Sequence, residues 1–332
     1  MLLGAGAAHL EVLQDFARER PAGVEAVLVA TGGETVSAGS LPRLVSGRDD
    51  PARLTVALSP LAAAAGVALV AGSVAGLDAR ARVVRLADGR RAEYEQLSID
   101  GGAAQARDLL PGAREHALFV RPAETFARLL PAVLSLSQQR VLDLVVIGGG
   151  TEAFELALAF AVRFSAEGTE RARVALVAGA EGPLPGWPAA AQRAGARALA
   201  RRRITVFREP ATALRPGAVV LSSGARLACD VPVLASGVGA PEWLAGSGLA
   251  LDPQGRVQAG PTLQSVSHPE VFAAGEAAAA EGRALAENLR RAAGGGVLQP
   301  WAATVPALRR LSCGDRRAIA VWRGLAATIP SV

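Results

Sequence analysis

A chain of 332 residues that is 51% hydrophobic and 20% charged has material for two cores and is too apolar to be disordered. Its net charge of +5 comes from arginine alone; there is no lysine, which excludes Schiff-base chemistry. No run reaches the ~18 uninterrupted apolar residues of a membrane span. The opening MLLGAGAAHLE meets a charge too early, with no basic segment ahead of it, for a secretory signal, so the expected location is the cytoplasm.

In chain order, the first segment is MLLGAGAAHLEVLQDFA (1–17): a short apolar strand, G-x-G, then an apolar-striped helix. Strand patterns follow at AVLVA (26–30), VALVAG (67–72), RVVRLADG (82–89) and YEQLSID (94–100). A linker, PGAREHALFVRPAE (111–124), leads into a helix, TFARLLPAVLSLSQQ (125–139). The strand VLDLVVI (141–147) runs into a second G-x-G turn and a helix from Thr151, as VVIGGGTEAFELALAFAVRF (145–164). After it come RVALVAG (173–179), a helix over 189–202, ITVFRE (204–209), an antiparallel piece GAVVLSSGARLA (217–228) and VPVLASG (231–237). This alternation predicts parallel sheets flanked by helices. Near the end, AIAVWRGLAATI (318–329) reads as a packed strand or helix end.

The two G-x-G turns invite the same physical reading. A first glycine permits the tight strand-to-helix turn, a second lets a pyrophosphate approach the backbone, and a third allows close helix–strand packing. The phosphates then sit on the free N–H groups and positive dipole end of the helix. Gly4 and Gly6 hold the first two places in one copy, Gly148 and Gly150 in the other. Ala153 is an accepted third residue; His9, in the equivalent place, is not explained by packing. The strand feeding the first turn, Met1–Leu3, is shorter than the usual five or six residues. Side by side, the copies read as an internal duplication of a nucleotide-binding fold.

Neither second strand ends in the acid that normally binds a ribose hydroxyl; Glu34 and Glu181 are late substitutes, and no arginine stands there either. The choice between NADH and NADPH therefore stays open. Cys229 and Cys313 lack any C-x-x-C spacing, which argues against a dithiol centre. His9, His116 and His268 stand singly, without metal-ligand spacing. There is no G-x-S-x-G nucleophile elbow. The arginine cluster RALARRRIT (197–205) contains no aromatic and reads as a solvated helix face, so no nucleic-acid partner is expected.

Nine strings, the two turns among them, carry a family resemblance. They are LLGAGAAHLEVL at the start, SAGSLPRLVSG (37–47), LSIDGG (97–102), PGAREHALFVRP (111–122) and VVIGGGTEAFELALA; then LVAGAEGPLPGWP (176–188), LASGVGAPEWLAGSGLALD (234–252), TLQSVSHPEVFAAGE (262–276) and LSCGDRRAIAVW (311–322). With these the chain resembles the FAD/NAD(P)-dependent pyridine nucleotide-disulfide oxidoreductase superfamily. Within it, the chain looks closest to the type II NADH dehydrogenase-like branch, which includes the flavoprotein domain fused to selenide, water dikinase.

The resemblance implies an α/β fold of two Rossmann-like dinucleotide-binding domains, the second inserted in the first, with a short C-terminal segment. FAD would occupy 1–110 with 246–296, NAD(P)H would occupy 111–245, and 297–332 would be a truncated tail. By similarity, Gly4, Gly6, His9, Leu41, Pro42, Gly102, Gly275 and Glu276 would serve FAD. Gly148, Gly150 and Glu155 would serve NAD(P)H, and Gly237, in the ASG loop (235–237) that returns from the insert, would be a further cofactor-binding residue. Hydride would pass from nicotinamide to flavin and on to a quinone-like or other small-molecule electron acceptor, without a redox disulfide.

Departures from the family pattern fall on the flavin side. Glu276 replaces an aspartate that binds a ribityl hydroxyl, Ser37 stands at a tyrosine position, Arg43 at a glycine, and Ala7 at a histidine. The segment AAAAEGRALAENLRR (277–291) is about a dozen residues shorter than in relatives. A second expectation follows: a catalytically degenerate homologue that keeps the fold as a nucleotide- or partner-binding protein.

Overall fold

The computed structural model describes residues 1–100, 104–165, 171–275, 278–301 and 308–330. The chain divides into two compact units, Met1–Ser37, Thr55–Ala104 and Gly239–Thr304 in the first, and Ala38–Leu54, Gln105–Val238 and Val305–Val332 in the second. Each is an α/β unit built on a five-stranded parallel sheet.

In the first unit the strand order is Val271–Ala273, Leu97–Ile99, Leu2–Leu3, Ala26–Ala30, Val67–Ala71. The two-residue central strand survives because it is paired on both sides, Leu2 with Leu28 and Ser98, Leu3 with Val29 and Ile99. Alternation along these strands separates two cores. Leu2, Leu28 and Phe272 face helices Ala7–Arg18, Leu58–Ala65 and Ala278–Ala293, whose Leu13, Leu58 and Leu285 complete that layer. Leu3, Val29, Ile99 and Val271 point the other way, onto an antiparallel meander of Val74–Asp78, Val83–Leu86 and Arg91–Glu93. The sequence pattern YEQLSID yields a strand only over Leu97–Ile99.

The second unit repeats the plan. Its order is Leu118–Phe119, Val231–Leu234, Leu142–Ile147, Ala172–Val177, Thr205–Phe207. A second meander, Ala211–Arg215, Ala218–Leu221 and Arg226–Ala228, covers one face through Leu214, Val219 and Leu221 against Val145, Ile147 and Val177. The helix Thr151–Phe164 is apolar nearly all round and is buried accordingly. Helix Leu41–Ser46 packs on it, and Phe126 of helix Ala123–Gln139 meets Phe160 edge-on at 6.4 Å.

The C-terminal residues form a three-stranded antiparallel sheet of Leu308–Ser312, Arg317–Trp322 and Leu325–Pro330. Its last turn has two residues, Arg323 and Gly324, both at positive φ (45° and 85°), the geometry of a tight hairpin. This sheet rests on helices Thr151–Phe164 and Ala189–Arg201. Among the described residues no helix is long and apolar enough to cross a membrane, and no cluster of His, Cys, Asp or Glu is arranged to hold a metal.

Candidate functional site

The sequence points to two strand-to-helix corners. In the first, Leu2–Leu3 ends at Gly4, whose φ of +89° is a conformation L side chains avoid, and whose N–H donates to the Val29 carbonyl at 2.8 Å. Gly6 caps helix Ala7–Arg18 with extended backbone and no side-chain cap of its own. The missing cap comes from a residue far along the chain: the His9 N–H donates to Asp100 Oδ2 at 2.8 Å, and the Gly6 N–H donates to the Asp100 backbone carbonyl at 3.1 Å. A Cβ on Gly6 would run into the Asp100 carboxylate. The close approach that this glycine permits is thus made by the protein itself.

His9 is fully buried, and its ring joins the loop to the neighbouring strand. Nδ1 lies 2.7 Å from the Gly4 carbonyl oxygen and Nε2 lies 2.8 Å from Ser98 Oγ. A carbonyl only accepts, so Nδ1 carries the proton; burial lowers the imidazole pKa and keeps it neutral, and Nε2 accepts from the Ser98 hydroxyl. Two hydrogen bonds therefore explain a residue that packing logic leaves without a role. Burial also raises the Asp100 carboxyl above the usual carboxylate range, against the pull of the His9 and Ala8 backbone N–H groups. Across the corner, the buried Glu281 accepts the Gly275 N–H, and burial together with the Asp100 charge raises its carboxyl too. Gly275 itself is exposed beyond strand Val271–Ala273. Gly102 and Glu276 lie outside the described residues.

The second corner differs at the position that matters for a ligand. Gly148 sits at φ +146°, and a Cβ there would come within 2.7 Å of the Ala235 carbonyl oxygen, so the turn itself demands glycine. Gly150 caps helix Thr151–Phe164 at an ordinary φ of −71°, and a Cβ there would meet nothing within 4 Å. Its face is open. Ala153 is buried, 3.1 Å from where a Gly148 Cβ would lie, and fills the third place.

Polar groups absent from the sequence reading surround this corner. Arg121 Nη1 pairs with Glu152 Oε1 at 2.7 Å in the first helical turn, although burial outweighs that attraction and raises the Glu152 carboxyl. Gln105 Oε1 accepts the Arg121 N–H at 3.1 Å, and its amide donates to the Leu234 and Ser236 carbonyls. Gly237, at φ +70°, accepts the Ala106 N–H at 2.9 Å. Gly148, Gly150 and Gly237 are therefore gathered at one corner. Glu155 lies one turn further on, where its carboxylate accepts the Ser312 N–H and burial raises its pKa to about 7. Leu41 and Pro42 are buried in this unit, on the short helix that packs against Thr151–Phe164.

Asp100, Ser98 and Glu281 at the first corner, and Gln105, Arg121, Glu152 and Ser312 at the second, carry no sequence motif. One signal was present: Ser98 and Asp100 put polar side chains at alternate positions of an otherwise apolar strand end, opposite a histidine in a glycine position.

Two G-x-G corners, each joining the central strand of a parallel sheet to a helix, define a protein with a pair of dinucleotide-binding folds. The chain belongs to the pyridine nucleotide-disulphide oxidoreductase family, whose model matches residues 1–296. That family comprises NAD(P)H-dependent flavoprotein oxidoreductases that bind FAD and NAD(P)H, the enzyme class and cofactor pair implied by the resemblance.

Two curated relatives, the NADH dehydrogenase-like proteins MT1860 and Rv1812c of Mycobacterium tuberculosis (strains CDC 1551 / Oshkosh and H37Rv), are each 29% identical over 230 residues. The match covers 65% of this chain and 56% of each relative, so it spans little more than half of their length. Among solved structures, NDH2 from Plasmodium falciparum in complex with NADH superposes with a TM-score of 0.79 at 11% identity, covering 98% of this chain and 90% of that one. The sulfide:quinone oxidoreductase of Aquifex aeolicus gives 0.77 at 15% identity, covering 99% and 86%. At such identities the likeness is one of fold.

Proposed function

We propose that this chain is an FAD-dependent oxidoreductase that takes hydride from NAD(P)H and delivers electrons to a quinone-like or other small acceptor. In this reading residues 1–110 with 246–296 hold FAD, 111–245 hold NAD(P)H, and 297–332 form a C-terminal segment. The observation that carries it is the open Gly150 face over the N-terminus of helix Thr151–Phe164, in a family of NAD(P)H-dependent flavoproteins. A Cβ built on Gly150 would meet nothing within 4 Å, so no side chain among the described residues stands against that point of the turn.

The chain's own residues define what each corner contributes. The first-turn N–H groups beyond Gly150 bind diphosphate, and the Arg121–Glu152 pair sets the charge beside them. Gly4 and Gly6 give the first corner the backbone shape for the FAD pyrophosphate, with Asp100 as a competing anion. FAD, when bound, supplies the hydride acceptor and the electron relay. Thiols take no part: Cys229 and Cys313 are both buried, and burial raises the Cys229 pKa to about 12.

Asp100 also favours a second reading, a homologue that keeps the fold and has lost its flavin. Purification with cofactor analysis separates the two. Yellow protein whose flavin is bleached anaerobically by NADH or NADPH supports the enzyme. Yellow protein left oxidised by both retains only flavin binding. Colourless protein that gains no flavin absorbance on incubation with FAD ends the enzyme reading.

A further inference from the structure

Asp100 is a buried carboxylate, 7% exposed, and it stands against the backbone of Gly6. Its negative charge meets no arginine among the described residues; it is balanced by the N–H groups and dipole of helix Ala7–Arg18. Those are the same donors that a pyrophosphate uses at such a turn. The surroundings offset it little: burial disfavours the charged form of His9, and Glu281 brings a second carboxyl group. At the other corner no side chain occupies the equivalent position, since Gly150 faces open space. The contrast between two copies of one turn in one chain is what requires explanation.

We propose that Asp100 is a built-in competitor for the FAD pyrophosphate, seated on the first corner's anion site, and that it sets the affinity of this chain for FAD. The proposal rests on the FAD reading given above. Two anions cannot share one set of helix N-terminal donors without repulsion, which the low polarity of a buried site strengthens. FAD therefore binds only as the Asp100 carboxylate swings off the His9 N–H or loses its charge. The chain without cofactor, conversely, keeps its first corner capped and folded. The feature that reads as degeneracy thus becomes a means of holding an empty flavin site closed.

The test is FAD binding, followed by quenching of flavin fluorescence, for the wild-type chain, Asp100→Asn and Asp100→Ala. Asparagine keeps the size of the side chain and an oxygen to accept the His9 N–H, but removes the charge; alanine vacates the donors altogether. Both variants should bind FAD about tenfold or more tightly than wild type, with NADH affinity unchanged. Hydrogen exchange supplies an independent readout. The His9 amide should be protected in wild type, unprotected in Asp100→Ala, and protected again on adding FAD. Wild type and Asp100→Asn binding FAD equally well would overturn the competition and leave the FAD reading intact, as would weaker binding by Asp100→Asn. Failure of all three folded proteins to take up FAD would remove the FAD reading, and this inference with it.

Discussion

Gly148 and Gly150 stand two positions apart and are required for different reasons. Gly148 is held at a φ closed to L residues, with the Ala235 carbonyl in the place of a Cβ, so its requirement is one of folding. Gly150 has an allowed φ and empty space, so only a ligand makes a side chain there costly. Gly150→Val should lower stability by about 1 kcal/mol or less, the cost of a poor cap, and weaken NAD(P)H binding about tenfold or more. FAD content should stay as in wild type. Gly148→Val should instead lose roughly 3 kcal/mol or more of stability. Urea unfolding and nucleotide titration of both variants check the pair; normal NAD(P)H binding by Gly150→Val would remove the second corner from the cofactor site. The glycine pattern was legible because backbone conformation leaves its mark on residue type. The roles of His9 and Asp100 were not, because their partners lie about ninety positions away and meet them only through the pairing of Leu2–Leu3 with Leu97–Ile99.

Among the elements, the C-terminal sheet was the least legible. Residues 318–329 read only as a packed strand or helix end, whereas 308–330 form three strands seated on helices of the second unit. Gly314, at φ +76°, lies against the backbone of Leu158 and Ala159, and Asp315 pairs with Arg202 at 2.7 Å and receives Arg317 as well. The packed strand was legible in AIAVW; the hairpin and its docking were not, because docking depends on the side chains of other helices. Glu155 couples this docking to pH. Its carboxyl, raised from 4.5 to about 7, binds a proton more tightly in the folded chain than in the unfolded one. This group's contribution to stability is therefore greatest below about pH 4.5 and falls as pH rises towards 7, by up to roughly 3 kcal/mol. Glu155→Gln keeps an oxygen for the Ser312 N–H and removes the titration. The variant should melt higher than wild type at pH 8 and match it near pH 4.5. An equal difference at both pH values would show that the Glu155 charge is not what strains this contact.

At the level of the whole molecule, duplication was legible because both halves obey one construction. In each, three strands of the parallel sheet lie side by side in chain order, an antiparallel meander follows, and the next strand returns to pair beside the first of the three. Local pattern was sufficient for this, since strand, G-x-G and helix recur with the same polarity in both copies. What distinguishes the halves is chemistry at their corners, one capped by Asp100 and one open; the polar Ser98 and Asp100 and the misplaced His9 mark it in the sequence without saying which groups meet.

The family's name includes a disulphide, and this chain supplies no pair of thiols at redox spacing. Cys229 lies in the core beneath the meander of the second unit, where it behaves as a small apolar side chain, and Cys313 is buried at the turn before Gly314. If electrons leave through the flavin alone, the double variant Cys229→Ala, Cys313→Ala should keep NAD(P)H-driven flavin reduction and turnover with a quinone acceptor within about twofold of wild type. Its stability should fall by about 1–2 kcal/mol from the small cavities left behind. A folded double variant that binds both cofactors and reduces its flavin, yet no longer passes electrons on, would place a thiol in the path and require the acceptor half of the mechanism to be rebuilt around it.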